Sequence, residues 1–315
     1  MNALASIGSW YTNNETLIQQ ILILALLAFG IQVALRTGIF SLASIGFYAI
    51  GSYTAGLLVK DGWVTILAIL ATVALTAMLG WLLAVLLVRL RDLYLAMATV
   101  AFDLMIGVIA LNWTGLTGGP LGVVGIPISV STLTIFLTVV GAGLLLSLLE
   151  RGTIGRTLEA IREDEELAQS LSVDTGRYRR FAFVISCVLG ALAGAYHALL
   201  FTDIQATDAG FDLIVLALTM VIIGGFGSWR GALVGAILLT WIPLKLTSIG
   251  EWWDVVYGAL MIFVATFAPG GLFGLWRDLT RRVSGSKSGQ DPARLQGTAI
   301  VTPGGRAPPS AREPT

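Results

Sequence analysis

Side chains able to do chemistry are scarce in this sequence, and the few that exist are far apart. Cys187 is the only cysteine and His197 the only histidine. Ten residues apart, a thiol and an imidazole could in principle meet as nucleophile and base. Both stand in an apolar run, where a thiol packs as a small hydrophobe and a lone imidazole is held by a hydrogen bond. Neither a disulfide framework nor a cysteine cluster for a metal is available. Lysine occurs only at positions 60, 245 and 287. Lys287 follows Ser286, so there is no G-x-x-x-x-G-K-[ST] loop to cradle nucleotide phosphates. Asp103 stands in the middle of an apolar stretch, where a carboxylate costs about 2.5 to 3.5 kcal/mol on insertion scales. Two roles would justify it: a local hydrogen bond, on Asn112's side of the bundle or to a facing Ser or Thr, or a polar contact beside a transport path. The remaining concentration of charge is IGRTLEAIREDEELAQSLSV, residues 154–173.

The elements that must position these residues are set by composition. Of 315 residues, 56% are hydrophobic and 12% charged, with a mean hydropathy of +0.85, far from the soluble norm of about 25% charged. An all-α, polytopic helical bundle in a membrane is the fold class expected. A formal net charge of zero, without a basic patch, argues against a nucleic-acid partner. Stretches of about 20 apolar residues suffice to cross the hydrocarbon core. Nine candidates follow: 17–35, 39–58, 63–88, 93–113, 132–149, 181–202, 211–226, 231–247 and 255–275. The seventh and eighth are short and flank GGFGSWRG, so each reads as a broken or re-entrant helix as readily as a full crossing.

Arginine and lysine then orient the chain. With the N-terminus outside and alternating spans, every basic residue except Lys60 and Lys245 falls on the inner side, which supports N-out, C-in. The expected organisation is a short extracytoplasmic N-terminus at 1–16 and a transmembrane domain at 17–276 containing a cytoplasmic loop at 150–180. A cytoplasmic tail at 277–315, rich in Gly, Pro, Ser and Arg, reads as mostly disordered. No lysine or arginine precedes the first apolar run, so that run is expected to stay as a span.

Within 154–173, Ile154, Leu158, Ile161, Ala168 and Leu171 recur at helical spacing, which predicts one amphipathic helix. Glu159 with Arg162, and Arg162 with Glu166, stand at pairing distance on its charged side. The apolar stripe can pack on the protein's own cytoplasmic ends or dock in a partner's groove. Gly190 and Gly194 are four apart, as are Gly227, Gly231 and Gly235, and Gly270 and Gly274. Such spacing predicts close helix packing, with a glycine-lined path as the alternative.

GRTLEAIREDEELAQSLSVDTGRYRRFAFVISCVLGALAGAYHALL resembles the signature of LivM-like permeases of ABC importers for branched-chain amino acids. The matching positions are Gly155, Arg156, Leu158, Ala160, Ile161, Arg162, Glu163, Asp164 and Glu165, then Tyr178, Ala182, Phe183, Ala193 and Gly194. LYLAMATVAFDLMIGVIALNWTGLTGGPLGVVGIP, FSLASIGFYAIGSYTAGLL and LALTMVIIGGFGSWRGALVGAILL are similar to further stretches of that family. Ser172 stands where the family usually has Gly, Asp103 where Glu or a neutral residue is more familiar, and Pro120, Val123 and Val124 alter its Gly-Gly loop.

The resemblance implies a permease subunit, not an enzyme, with no cofactor of its own. ATP and Mg would be held by two ATPase subunits, and a homologous second permease and an extracytoplasmic binding protein would complete a bacterial inner-membrane importer. Residues 154–173 would be its coupling helix, with Gly155, Arg156, Leu158, Glu159, Ala160, Ile161, Arg162, Glu163, Asp164 and Glu165 facing the ATPase. Ser44, Tyr48, Thr99, Phe102, Asp103, Gly224 and Gly225 are the candidates to border the substrate path. Thr117, Gly118, Gly119 and Pro120, in an outer loop, are the candidates to meet the binding protein. The same machine for urea or short amides is the alternative cargo; a proton-driven carrier acting through Asp103, or a scaffold without transport, is the alternative class.

Overall fold

Apolar stretches of this length can satisfy their backbone inside a bilayer only as helices or closed barrels, and this chain is built from helices. The computed structural model describes residues 2–87, 89–90, 92–225, 227–245, 255 and 258. In chain order these are α1 (Asn2–Arg36), α2 (Ser44–Lys60), α3 (Thr65–Leu87), α4 (Asp92–Asn112), the short α5 (Thr114–Thr117) with a 3-10 turn at Gly119–Leu121, and β1 (Val123–Val124). Then follow α6 (Thr132–Arg151), α7 (Thr153–Glu163), α8 (Glu165–Ser170), α9 (Thr175–Phe201), β2 (Asp203–Ile204), α10 (Phe211–Gly224) and α11 (Trp229–Lys245).

Among the described residues, five helical stretches are long and apolar enough to cross a membrane: Asn14–Arg36, Thr65–Leu87, Leu93–Asn112, Thr132–Glu150 and Thr175–Phe201. They answer to the first, third, fourth, fifth and sixth expected spans. The second differs from the expectation of 39–58. Gly38, at φ +72°, ends α1 with a paired closure in which Gly38 N donates to Leu35 O (3.2 Å) and Ile39 N to Ala34 O (3.1 Å). Residues 39–43 stay unwound, and α2 starts only at Ser44. The seventh expected span is the 14-residue α10, short of a full crossing, and the eighth is α11, which is described as far as Lys245. The ninth, 255–275, lies outside the described residues except for 255 and 258, and Gly270, Gly274 and the 277–315 tail lie outside them altogether.

Small residues bring the central helices together. A Cβ at Gly190 would overlap the carbonyl of Ser44, one at Gly194 that of Tyr48, and one at Gly51 the backbone of Ala191, so α2 and α9 touch backbone to backbone. On α3 the buried stripe Ala68, Thr72, Thr76, Gly80 and Ala84 repeats every fourth residue, and Gly80 meets Cys187 of α9. In α10 and α11, Gly224 meets Gly231, and Gly235 meets the Met220 carbonyl. The glycine spacing therefore serves packing at each of these positions, but not at Gly227, where an added Cβ would meet nothing within 4 Å. Outside this centre, α3, α4 and α6 carry exposed apolar side chains such as Leu70, Leu86, Met97, Met105, Leu137 and Leu148. Surface of that kind and extent belongs against lipid tails or another apolar protein face.

The two ends of the bundle are held by different chemistry. At one end Arg36 of α1 pairs with Glu150 of α6 at 2.5 Å, and Glu150 also accepts the Trp229 N–H of α11 at 3.3 Å. At the other end β1 and β2 form an antiparallel ribbon, Val123 opposite Ile204 and Val124 opposite Asp203. Ile126 N donates to Thr202 O at 3.2 Å, and Lys60 Nζ to Val124 O at 3.2 Å.

Candidate functional site

The charged segment lies beside the Arg36 end. Instead of one helix it forms two, α7 and α8, interrupted at Asp164, whose extended backbone (φ −154°, ψ 104°) breaks the helical ladder. The reason is local: Asp164 Oδ1 accepts the Leu167 N–H at 2.9 Å, and Glu165 and Glu166 occupy the first turn, so a new helix is capped and its dipole complemented. The break falls between Arg162 and Glu166, so their spacing no longer places them on one helix. Ile161 and Ala168 are buried and Leu158 half-buried, as the stripe predicts, whereas Ile154 at its start is 38% exposed. Leu171 is 71% exposed because the break re-phases α8 relative to α7, and Leu167 beside it is 59% exposed.

Gly155 is buried; a Cβ there would overlap the Glu150 carbonyl, so glycine lets α7 fold back against the end of α6. Arg156, Glu159, Ala160, Arg162, Glu163 and Asp164 face outward. Glu165 does not. Both its carboxylate oxygens accept from Arg179 Nη1, at 3.2 and 3.1 Å, and Thr175 Oγ1 donates to Oε1 at 3.3 Å. Arg179, which the sequence reading did not single out, is 7% exposed and ties α8 to the first turns of α9. The signal was there in principle: α9 begins at Thr175, six residues before the apolar run expected at 181, which brings Arg179 onto a helix. Between α7 and the start of α9 lies a groove of about 480 Å³ lined by Ile154, Thr157, Val173, Arg177, Tyr178 and Phe181.

Ser172 takes a left-handed backbone just beyond the end of α8. It sits at φ +64°, with Ser172 N donating to Gln169 O (2.9 Å) and Val173 N to Ala168 O (3.2 Å), the closure that normally carries glycine in the left-handed position.

In the interior, the start of α2 lies level with the middle of α4. Gly46 N donates to Asp103 Oδ1 at 2.8 Å, and Leu42 N to Thr99 Oγ1 at 3.2 Å. Asp103 thus bonds a backbone N–H, and not the Asn112 side of the bundle or a facing hydroxyl; Asn112 Nδ2 instead donates to Val108 O at 2.8 Å. Phe102 packs on Phe47 with ring centroids 5.5 Å apart. Ser44 is fully buried at the same level, its hydroxyl without a hydrogen-bond partner. One turn further, Tyr48 lies 5.7 Å from the His197 ring, which lies 4.8 Å from Phe201. Five of the expected path residues therefore gather along α2 and α4, while Gly224 and Gly225 make the tight turn and contact between α10 and α11. Cys187 and His197, ten residues apart on the continuous helix α9, are about 15 Å apart along its axis and form no reactive pair. Among the described residues no group of three His, Cys, Asp or Glu is placed to hold a metal.

At the ribbon end, Thr117 Oγ1 lies 2.6 Å from Ala110 O and 2.7 Å from Trp113 O, and accepts Gly119 N–H at 3.3 Å. Gly118 and Gly119 both take positive φ (74° and 60°), so the glycines are a requirement of this turn. Pro120 is exposed, and Leu121 beside it is 88% exposed. The ribbon that clasps this loop to the end of α9 has only two residues per strand, too short for any periodic signal in the sequence.

Residues 13–265 match the family described as branched-chain amino acid transport system / permease component. The chain is similar to the high-affinity branched-chain amino acid transport system permease protein LivM of Escherichia coli K12, at 30% identity over 307 residues, covering 85% of this chain and 72% of that one. LivM of Salmonella typhimurium is 29% identical over the same coverage. The autoinducer 2 import system permease protein LsrC of Salmonella typhi is 28% identical, covering 89% of this chain and 85% of that one. No solved structure matches the chain significantly.

Proposed function

This chain belongs to the family of branched-chain amino acid transport permease components, and from that premise we propose that it is one membrane subunit of an ATP-driven importer for those amino acids in a bacterial inner membrane. The observation that carries the reading is the match across residues 13–265, which includes every described helix that could span a membrane. The names of the relatives do not favour urea or amides as cargo. The chain is multi-pass and takes the N-out, C-in arrangement with about nine membrane segments, some of them broken or re-entrant like the short α10, so the Arg36 end, with α7 and α8, faces the cytoplasm and the ribbon faces outward. Positive-inside counting supports this, since Arg36, Arg156, Arg177 and Arg230 lie toward the first end and Lys60 at the second.

On this arrangement, two ATPase subunits, which hold ATP and Mg, meet the outward side of α7 through Arg156, Glu159, Arg162 and Glu163. Gly155, Leu158, Ile161 and Glu165 set its pose from below. A homologous permease subunit covers part of the apolar surface, and a substrate-binding protein meets the loop of Thr117, Gly118, Gly119 and Pro120. Ser44, Tyr48, Thr99, Phe102 and Asp103 border the path on one side. Residues 17–276 form the permease domain, with 1–16 and 277–315 flanking it.

The test is to purify the assembled complex and measure ATP hydrolysis with the binding protein and leucine, isoleucine, valine or urea. Stimulation by the branched-chain amino acids and not by urea is expected. Glu163→Lys, reversing an exposed charge on α7, should lower ATPase co-purification or stimulation by about tenfold, since charge complementarity sets docking. Full stimulation by urea alone, or an unaffected Glu163→Lys complex, counts against the reading.

A further inference from the structure

The unwound segment between α1 and α2 touches both the cytoplasmic helix α7 and the bundle interior. At its first end Gly38 lies against α7: a Cβ on Gly38 would sit 3.5 Å from Arg162 Cα, so backbone meets backbone. At its other end the N–H groups of Leu42 and Gly46 are taken by Thr99 and Asp103 of α4, side chains four residues apart on one face. The first N–H groups of any helix lack partners inside it. Ala43, which precedes α2, has no side chain to cap them. Two side chains from another helix supply the acceptors. Ile39, Ser41, Leu42 and Ala43 are buried, while Gly38 and Phe40 are exposed.

We propose that Thr99 and Asp103 are positioning residues for transport: they latch the start of α2 to α4, and the segment 38–43 carries displacement of α7 into the membrane by loading that latch. The proposal rests on the importer reading. When α7 shifts, Gly38 must shift with it, and the strain reaches the two hydrogen bonds at Leu42 and Gly46. Acceptor geometry, not negative charge, is what the latch needs.

The experiment uses the complete complex in proteoliposomes with its binding protein and leucine. Wild-type uptake and stimulated hydrolysis first test the importer reading by themselves; if they fail, that reading fails. Asp103→Asn and Thr99→Ser, which keep an acceptor oxygen, should retain uptake per ATP within about twofold. Asp103→Val and Thr99→Val should lose about tenfold in uptake per ATP while hydrolysis persists, as expected when a buried donor is left unpaired. Wild-type ratios in both Val variants overturn the proposal, and so does an Asp103→Asn complex as impaired as Asp103→Val. A second measurement needs no core substitution. Labels at Phe40→Cys and Thr153→Cys, both exposed positions, should keep their separation to within about 2 Å between nucleotide-free and ATP-bound complexes, whereas a change of about one helical turn (~5 Å) overturns the linkage.

Discussion

Ser172 shows how much one backbone angle can decide. A residue with a Cβ in the left-handed region costs about 1 to 2 kcal/mol relative to a relaxed conformation, and glycine escapes that cost. Ser172→Gly should therefore stabilise the chain by about 1 kcal/mol, read as a raised thermal midpoint in detergent; a lowered midpoint would contradict the account. The resemblance led to an expectation of glycine at this position, but why glycine would suit it was not legible in the sequence, because φ is fixed by the closing hydrogen bonds of α8. Asp103 was similarly legible as an anomaly. Its partner was not, since a backbone N–H 57 positions away leaves no trace in side-chain spacing. The same holds for Glu165: its charge suggested an outward role, and only the fold reveals that Arg179 claims it.

At the level of helices, periodicity identified the long apolar elements and the glycines that join them. It failed where local capping overrode it. Asp164 caps a fresh helix and splits an amphipathic pattern that is continuous on paper, and Gly38 closes α1 so that α2 starts five residues later than hydropathy predicts. The α2 and α9 contact offers a sharp test. Gly194→Val would drive its side chain into the Tyr48 carbonyl, and overpacking of this kind costs about 1 to 3 kcal/mol. A lower melting temperature and poorer assembly are expected. Gly107→Ala on α4, where nothing lies within 4 Å of the added carbon, should be neutral or mildly stabilising. Equal damage from both would mean that close approach is not what these helices depend on.

For the molecule as a whole, membrane insertion and the division of charge between its ends follow from composition, whereas the joining of those ends does not. Glu150 gathers α1, α6 and α11 through Arg36 and the Trp229 backbone. Glu150→Gln keeps its shape but removes the charge, and hydrogen bonds to charged groups contribute about 1.5 to 3 kcal/mol. A loss of that order in unfolding free energy is expected, and an unchanged melting curve would remove Glu150 from this role. Helix α9 passes through everything else. Its 27 residues make a rod of about 40 Å without a break, clasped by the two-residue ribbon at one tip and by Glu165 and Arg179 near the other. Such a shaft has no joint at which the two tips could keep separate time: a push on the ribbon and a pull on α8 act on a single lever.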